Sequence, residues 1–159
     1  MKRNTLALTL TLSIGLLAPL AAQLEIKDTK GKHLDILSGE KVLVRYMYEH
    51  DISTDEKKHA TYKPYLHVFD PAGKAPITKG PGGQYTHHRG IFIGWSKLGF
   101  NGKSYDRWHM KNGAIVHQKF HEHKTRENTA AITSVTHWHD DAQKPILDEE
   151  RTMTVWTPG

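Results

Sequence analysis

The 159-residue chain contains no cysteine. That absence excludes a disulfide framework, a cysteine nucleophile, cysteine-ligated metal and a lipoprotein thioether. Catalytic motifs of fixed spacing are missing too: there is no Gly-x-Ser-x-Gly elbow, no Walker loop and no His-Glu-x-x-His pair. Beyond residue 22 no segment is apolar enough to span a bilayer, and none sustains an apolar period of 3.6 residues. Clustered charge is also lacking. Lys and Arg are scattered among Asp and Glu without forming a stripe, which argues against nucleic acid as a partner.

What the chain does have begins with Lys2 and Arg3, a largely apolar run from Leu6 to Leu20, and then Ala21, Ala22 and Gln23. These are the three parts of a secretory signal peptide, so residues 1–22 are expected to be cleaved near Ala22 and the remainder exported, to the periplasm or outside the cell. The apolar run is shorter than the roughly 20 residues a span requires. Cleavage would remove two of 22 basic residues and none of the 17 acidic ones, lowering the formal charge from +5 to +3. By length, the rest (23–159) is one domain.

Short runs rich in β-branched and aromatic residues alternate with turn signals through that domain, which predicts an all-β, antiparallel sandwich. Expected strands are Leu24 to Lys27, His33 to Leu37, Lys41 to Tyr48, Tyr65 to Phe69, Ala75 to Lys79, Ile91 to Trp95, Ala114 to His123, Ala130 to His139 and Arg151 to Trp156. Thr29-Lys30-Gly31, Asp70-Pro71-Ala72-Gly73 and Phe100-Asn101-Gly102-Lys103 read as tight turns. The polar segment from Glu49 to Thr61 reads as a loop. Trp95, Trp108, Trp138 and Trp156 are spaced like core residues of successive strands. Because the chain ends at Gly159 directly after a strand, the sandwich is expected to be incomplete, a fragment of a longer domain.

All twelve histidines follow residue 22, and nine fall between His67 and His139. The strongest site marker is His87, His88, Arg89, Gly90, which follows the loop Gly80-Pro81-Gly82-Gly83 and precedes the apolar Ile91 to Trp95. Side chains of neighbouring strand residues point to opposite faces, so two adjacent imidazoles can serve one ligand only where a turn or bulge re-aims one of them. His87, His88 and Arg89 are the expected catalytic residues, with a neutral imidazole as base and the guanidinium holding an oxygen. Trp108 and His109 stand beside Tyr105, Asp106 and Arg107, the mixture of aromatic faces and polar groups a sugar cleft needs. With His67 and His117 they are the expected substrate-binding residues. No spacing among the carboxylates selects a glycosidase pair.

A second reading uses the strands. Alternation puts His117, Lys119, His121 and His123 on one face and Val135, His137 and His139 on one face of another strand. If the strands are neighbours, His121, His123, His137 and His139 become candidate ligands for zinc or copper. A third reading is a structural or interaction module without chemistry.

Lys63, Pro64, Tyr65 and His67, then Asp70, Pro71 and Gly73, the His87-His88-Arg89-Gly90 block with Trp95, Asn101-Gly102 before Trp108, and Gly113, Ile115 and His117 together resemble the N-terminal half of a bacterial family of exported proteins commonly labelled "methane oxygenase PmoA". The resemblance spans roughly Val42 to Trp156. It implies a largely β protein with no settled activity, about twice this length, common in bacteria that degrade polysaccharides; the sugar reading of the residues takes a glycan or small sugar as the partner and needs no cofactor. It does not imply methane oxidation, because the methane oxygenase subunits of that name are integral membrane proteins and the chain past residue 22 has no span.

Overall fold

The structure is a computed structural model and describes residues 23–158; the expected signal segment lies outside them. In chain order the elements are β1 (Leu24–Thr29), β2 (His33–Ser38), β3 (Lys41–Met47), α1 (Asp55–Ala60), β4 (Tyr65–Val68), β5 (Leu98–Phe100), β6 (Lys103–Tyr105), β7 (Ala114–Phe120), β8 (Lys124–Arg126), β9 (Thr129–His139) and β10 (Pro145–Trp156). All strand pairings among them are antiparallel. One sheet runs β1-β2-β3-β4, a second runs β10-β9-β7 with β8 also paired to β9, and β5 and β6 form a separate ribbon. The fold is all-β and sandwich-like, as the alternation predicts. Among the described residues no helix is long and apolar enough to cross a membrane.

The turns follow their residues. Gly31 and Gly102 both have positive φ, and Gly73 packs so closely on the Lys41 and Val42 backbone that a Cβ would lie 2.6 Å from the Val42 nitrogen. The core joins Leu34, Ile36, Val44 and Tyr46 of the first sheet, with Tyr48 just past β3, to Ala130 and Ile132 of β9. Tyr46 also donates its hydroxyl to Ser134 Oγ on β9 at 3.1 Å, a buried polar tie between the sheets. Along β9 buried and half-buried residues alternate without a break, so Ile132, Ser134, Thr136 and Trp138 face inward and Val135, His137 and His139 outward.

Three expectations about elements are corrected. Ile91 to Trp95 is not a strand: beyond one bridge between Ile91 and Leu66 it has no ladder, and Ile91, Ile93 and Trp95 are all exposed. Ala75 to Lys79 likewise reduces to a bridge between Phe69 and Pro76, because proline has no N–H to continue a ladder. The polar loop contains α1, whose first turn is capped by Thr54 Oγ1 accepting from the Lys57 N–H and carries Asp55 and Glu56 where the helix dipole favours acid. Of the tryptophans only Trp138 is fully buried; Trp95 and Trp156 are largely exposed and Trp108 is half-buried.

Candidate functional site

Adjacent His87 and His88 meet because they sit in a turn rather than a strand. Tyr85 adopts a positive φ of 55°, and the His88 N–H donates to the Tyr85 carbonyl at 2.9 Å, closing a β-turn over Thr86 and His87. The two imidazoles lie edge to face with centroids 4.3 Å apart. Tyr85, more than half exposed, stacks on His88 at 5.5 Å. Gly90 ends the turn: its φ is +31° and a Cβ there would collide with the Leu66 carbonyl oxygen, so glycine alone lets the chain return to β4.

The short segment after β6 brings up the other side. Trp95 O accepts from the N–H groups of both Arg107 and Trp108, which ties the Tyr105 to His109 region to the exposed stretch beside it. Asp106 accepts the His109 backbone N–H on Oδ1 at 2.9 Å and the His109 ring Nδ1–H on Oδ2 at 2.8 Å. The His109 ring then lies 4.9 Å from His87, and Trp108 lies 6.1 Å from His88. Tyr85, His87, His88, Trp108 and His109 thus form one aromatic and imidazole surface, with Asp106 as the carboxylate bonded to it.

Its electrostatics are set from below. Lys63 is fully buried, with Nζ donating to the Trp108 carbonyl at 2.9 Å and lying 3.5 Å above the Phe92 ring. Burial and then the Arg89 charge push its amine down to about 7, against the pull of Asp106. His87 is lowered by burial first and then by His88, His109 and Lys63. Burial raises Asp106, but the two N–H groups of His109 and the His109 and Lys111 charges more than offset it and hold the carboxylate ionised. With Nδ1–H committed to Asp106, His109 keeps Nε2 as the nitrogen available to a proton. A mostly apolar cleft of about 190 Å³ shares Lys63 and Tyr65 as wall residues but contains none of these imidazoles.

Arg89 does not face this surface. Only 1% exposed, it donates through Nε to the Thr86 carbonyl at 3.0 Å, and through Nη1 and Nη2 to the Ala60 and His59 carbonyls, both at 2.6 Å. It clamps the end of α1 to the His87 turn, and its fork has no donor aimed at a substrate.

The remaining expected residues lie elsewhere. His67 is buried on the outer face of β4, with Nδ1 at 3.0 Å from Thr78 Oγ1 and Gly80 packed over its ring. His117 sits on the core side of β7, 2.7 Å from Ser134 Oγ and against Tyr48 and Phe120, where burial pushes its imidazole down to about 4. The ladder between β7 and β9 shifts between His117 and Lys119, which reverses the alternation and puts Phe120 rather than Lys119 on the His117 side. The candidate metal ligands disperse accordingly. His121 pairs with Glu150 at 3.1 Å, His123 packs on Phe120, and His137 and His139 are outward on β9 with His137 at 3.4 Å from Asp148. Among the described residues no group of three or more His, Asp or Glu is placed to hold a metal ion.

A model of the "Family of unknown function (DUF6807)" matches residues 33–159. The chain belongs to this family. No curated protein and no solved structure matches it. The matched span of this DUF6807 member takes in the whole surface, from the His87 turn to His109, and both buried cations, Lys63 and Arg89. From the sequence, Lys63 enters only through the family resemblance and Asp106 only as one of the polar groups beside Trp108; the Asp-x-x-His spacing of Asp106 and His109, which lets a carboxylate accept from both N–H groups of the same residue, is the signal that singles out the second.

Proposed function

We propose that this face recognises carbohydrate, with Trp108 and Tyr85 offering aromatic surface to the CH groups of a sugar ring and His87 and His88 offering hydrogen bonds to its hydroxyls. His109 is the proton-handling group, oriented by Asp106 and able to draw a proton from a sugar hydroxyl or a water through Nε2. The observation that carries this reading is the Asp106–His109 pair, whose His109 directly follows Trp108 and lies against His87. The leader-like residues 1–22 and the resemblance to exported proteins of polysaccharide-degrading bacteria support a site that meets glycans outside the cytoplasm.

The test is a binding screen of the full chain against plant, algal and bacterial oligosaccharides, followed by Trp108→Ala, His109→Ala and Asp106→Asn on any ligand found. Trp108→Ala is expected to weaken binding at least about tenfold, the loss of one stacked ring. Asp106→Asn should leave binding nearly intact, as it loosens the His109 ring without changing the aromatic surface. Unchanged affinity in Trp108→Ala, or no bound glycan across the screen, overturns the reading.

A further inference from the structure

Two cations lie fully buried beneath the imidazole surface without a countercharge. Lys63 and Arg89 are each 1% exposed, and among the described residues neither has a carboxylate within 4.0 Å. Arg89 is met by three neutral carbonyls, two of them at the C-terminal end of α1 where aligned peptide dipoles soften its charge. Lys63 has one carbonyl and one aromatic face. The acid whose charge acts on Lys63, Asp106, is already committed to His109 and lies 3.8 Å from Lys111 Nζ, and Glu49, which shares a cleft wall with Lys63, lies beyond 4.0 Å of its amine. By contrast the buried Arg107 and Arg151 each have a carboxylate partner, at 3.1 Å and 2.8 Å. Uncompensated charge in a low-dielectric interior is costly, and the field it creates falls on whatever sits above it.

Above it sit Trp108, whose carbonyl Lys63 holds, and the imidazoles of His87, His88 and His109. We propose that the ligand of this face carries an acidic group, a sugar carboxylate or sulfate, whose negative charge lies over Trp108 and completes the missing countercharge of Lys63 and Arg89. This rests on the carbohydrate reading and narrows it to anionic sugars. The shift of Lys63 down to about 7 agrees with a cation that lacks a partner in the free protein. Once an anion binds, Lys63 regains a reason to stay protonated, so binding draws a proton from solution at neutral pH.

The full chain is titrated calorimetrically with oligogalacturonides, with the same oligomers as methyl esters, and with a sulfated galactan oligosaccharide of equal length. The free acids are expected to bind at least about tenfold tighter than the esters, to weaken several-fold as salt rises, and to take up protons near pH 7 in buffers of different ionisation heat. Tighter binding of the sulfated probe than of the uronate would name sulfate as the group. Lys63→Met should abolish the preference for acid over ester; should that variant fail to fold, the acid and ester pair on the wild-type chain decides alone. Equal affinity for acid and ester overturns this inference and leaves the carbohydrate reading standing, whereas absence of binding to any of these probes or to the wider neutral screen removes both.

Discussion

At the scale of single residues, histidines here divide by environment more than by position. His87, His88 and His109 share a surface, while His117 is a core residue whose ring is surrounded by Tyr46, Tyr48, Phe120 and Ser134. Burial holds the His117 pKa at about 4 in the fold against 6.5 for an exposed ring. Because the folded-state value is depressed, the unfolded chain binds the extra proton between these two values. Stability from this residue is therefore fully present above pH 6.5 and is lost as pH falls toward 4, by on the order of 3 kcal/mol in all. His33, His59, His67 and His139 are lowered in the same direction, so the parent loses stability in acid through several groups. Urea denaturation of His117→Gln and the parent from pH 7 to pH 4.5 isolates the share of His117: the variant should show the shallower loss. Parallel curves would mean that the ring does not titrate in this window. None of this was legible in the sequence, where His117 alternates with Lys119, His121 and His123, because the shift of register that breaks the alternation leaves no mark in residue type. His87 and His88 were legible as a pair, and the Gly-rich loop before them is what gave the chain freedom to make the turn.

At the scale of elements, β9 and β3 from Val44 onward alternate in the fold as they do in sequence, whereas β7 loses step after His117, and the turns at Gly31, Gly73 and Gly102 sit where their residues put them. What failed was the inference that apolar means strand for Ile91 to Trp95. Its residues have no partner beyond Leu66 to complete a ladder, and Gly94 packs against the Arg107 carbonyl, where a Cβ would come within 3.1 Å. Arg89 failed for a related reason: a guanidinium beside two histidines reads as a ligand clamp, yet α1 ends with two carbonyls that need donors, and Arg89 is the group that reaches them. Replacing it tests that assignment. Arg89→Ala strands the His59 and Ala60 carbonyls and is expected to cost about 3 kcal/mol or more, with faster hydrogen exchange concentrated in 55–62 and 85–90. Arg89→Lys should recover little, since one ammonium cannot span three carbonyls in a fork. Loss of ligand binding with unaltered stability and exchange would instead return Arg89 to the site.

At the scale of the whole molecule, the second sheet holds its edge strand β10 to β9 by a polar cluster as well as by its ladder. Glu149 on the inner side of β10 accepts from Thr136 Oγ1 at 3.2 Å, from Trp138 Nε1 at 2.7 Å and from both Nε and Nη2 of Arg151 at 2.8 and 2.9 Å. The Arg151 and Glu149 side chains are only 9% and 14% exposed, and Arg151 Nη1 is buried with no partner, so its charge depends on this single carboxylate. Glu150, the next residue, points outward to His121 from a largely exposed position. Two neighbouring glutamates should then respond in opposite ways to the same change. Glu149→Ala leaves a buried guanidinium and the indole N–H of Trp138 unpaired and is expected to destabilise by about 3–5 kcal/mol, while Glu150→Ala should fall within about 0.5 kcal/mol of the parent. Equilibrium unfolding in urea, followed by tryptophan fluorescence because Trp138 reports the site directly, measures both. Equal small effects would show that water reaches Arg151 and that β10 is held to β9 by its ladder and apolar packing alone. A large loss confined to Glu149 would mean that β10, although an edge strand among the described residues, is locked to β9 by the hydrogen bonds that Glu149 accepts from Thr136 and Trp138, with the Arg151 pair holding that carboxylate in place.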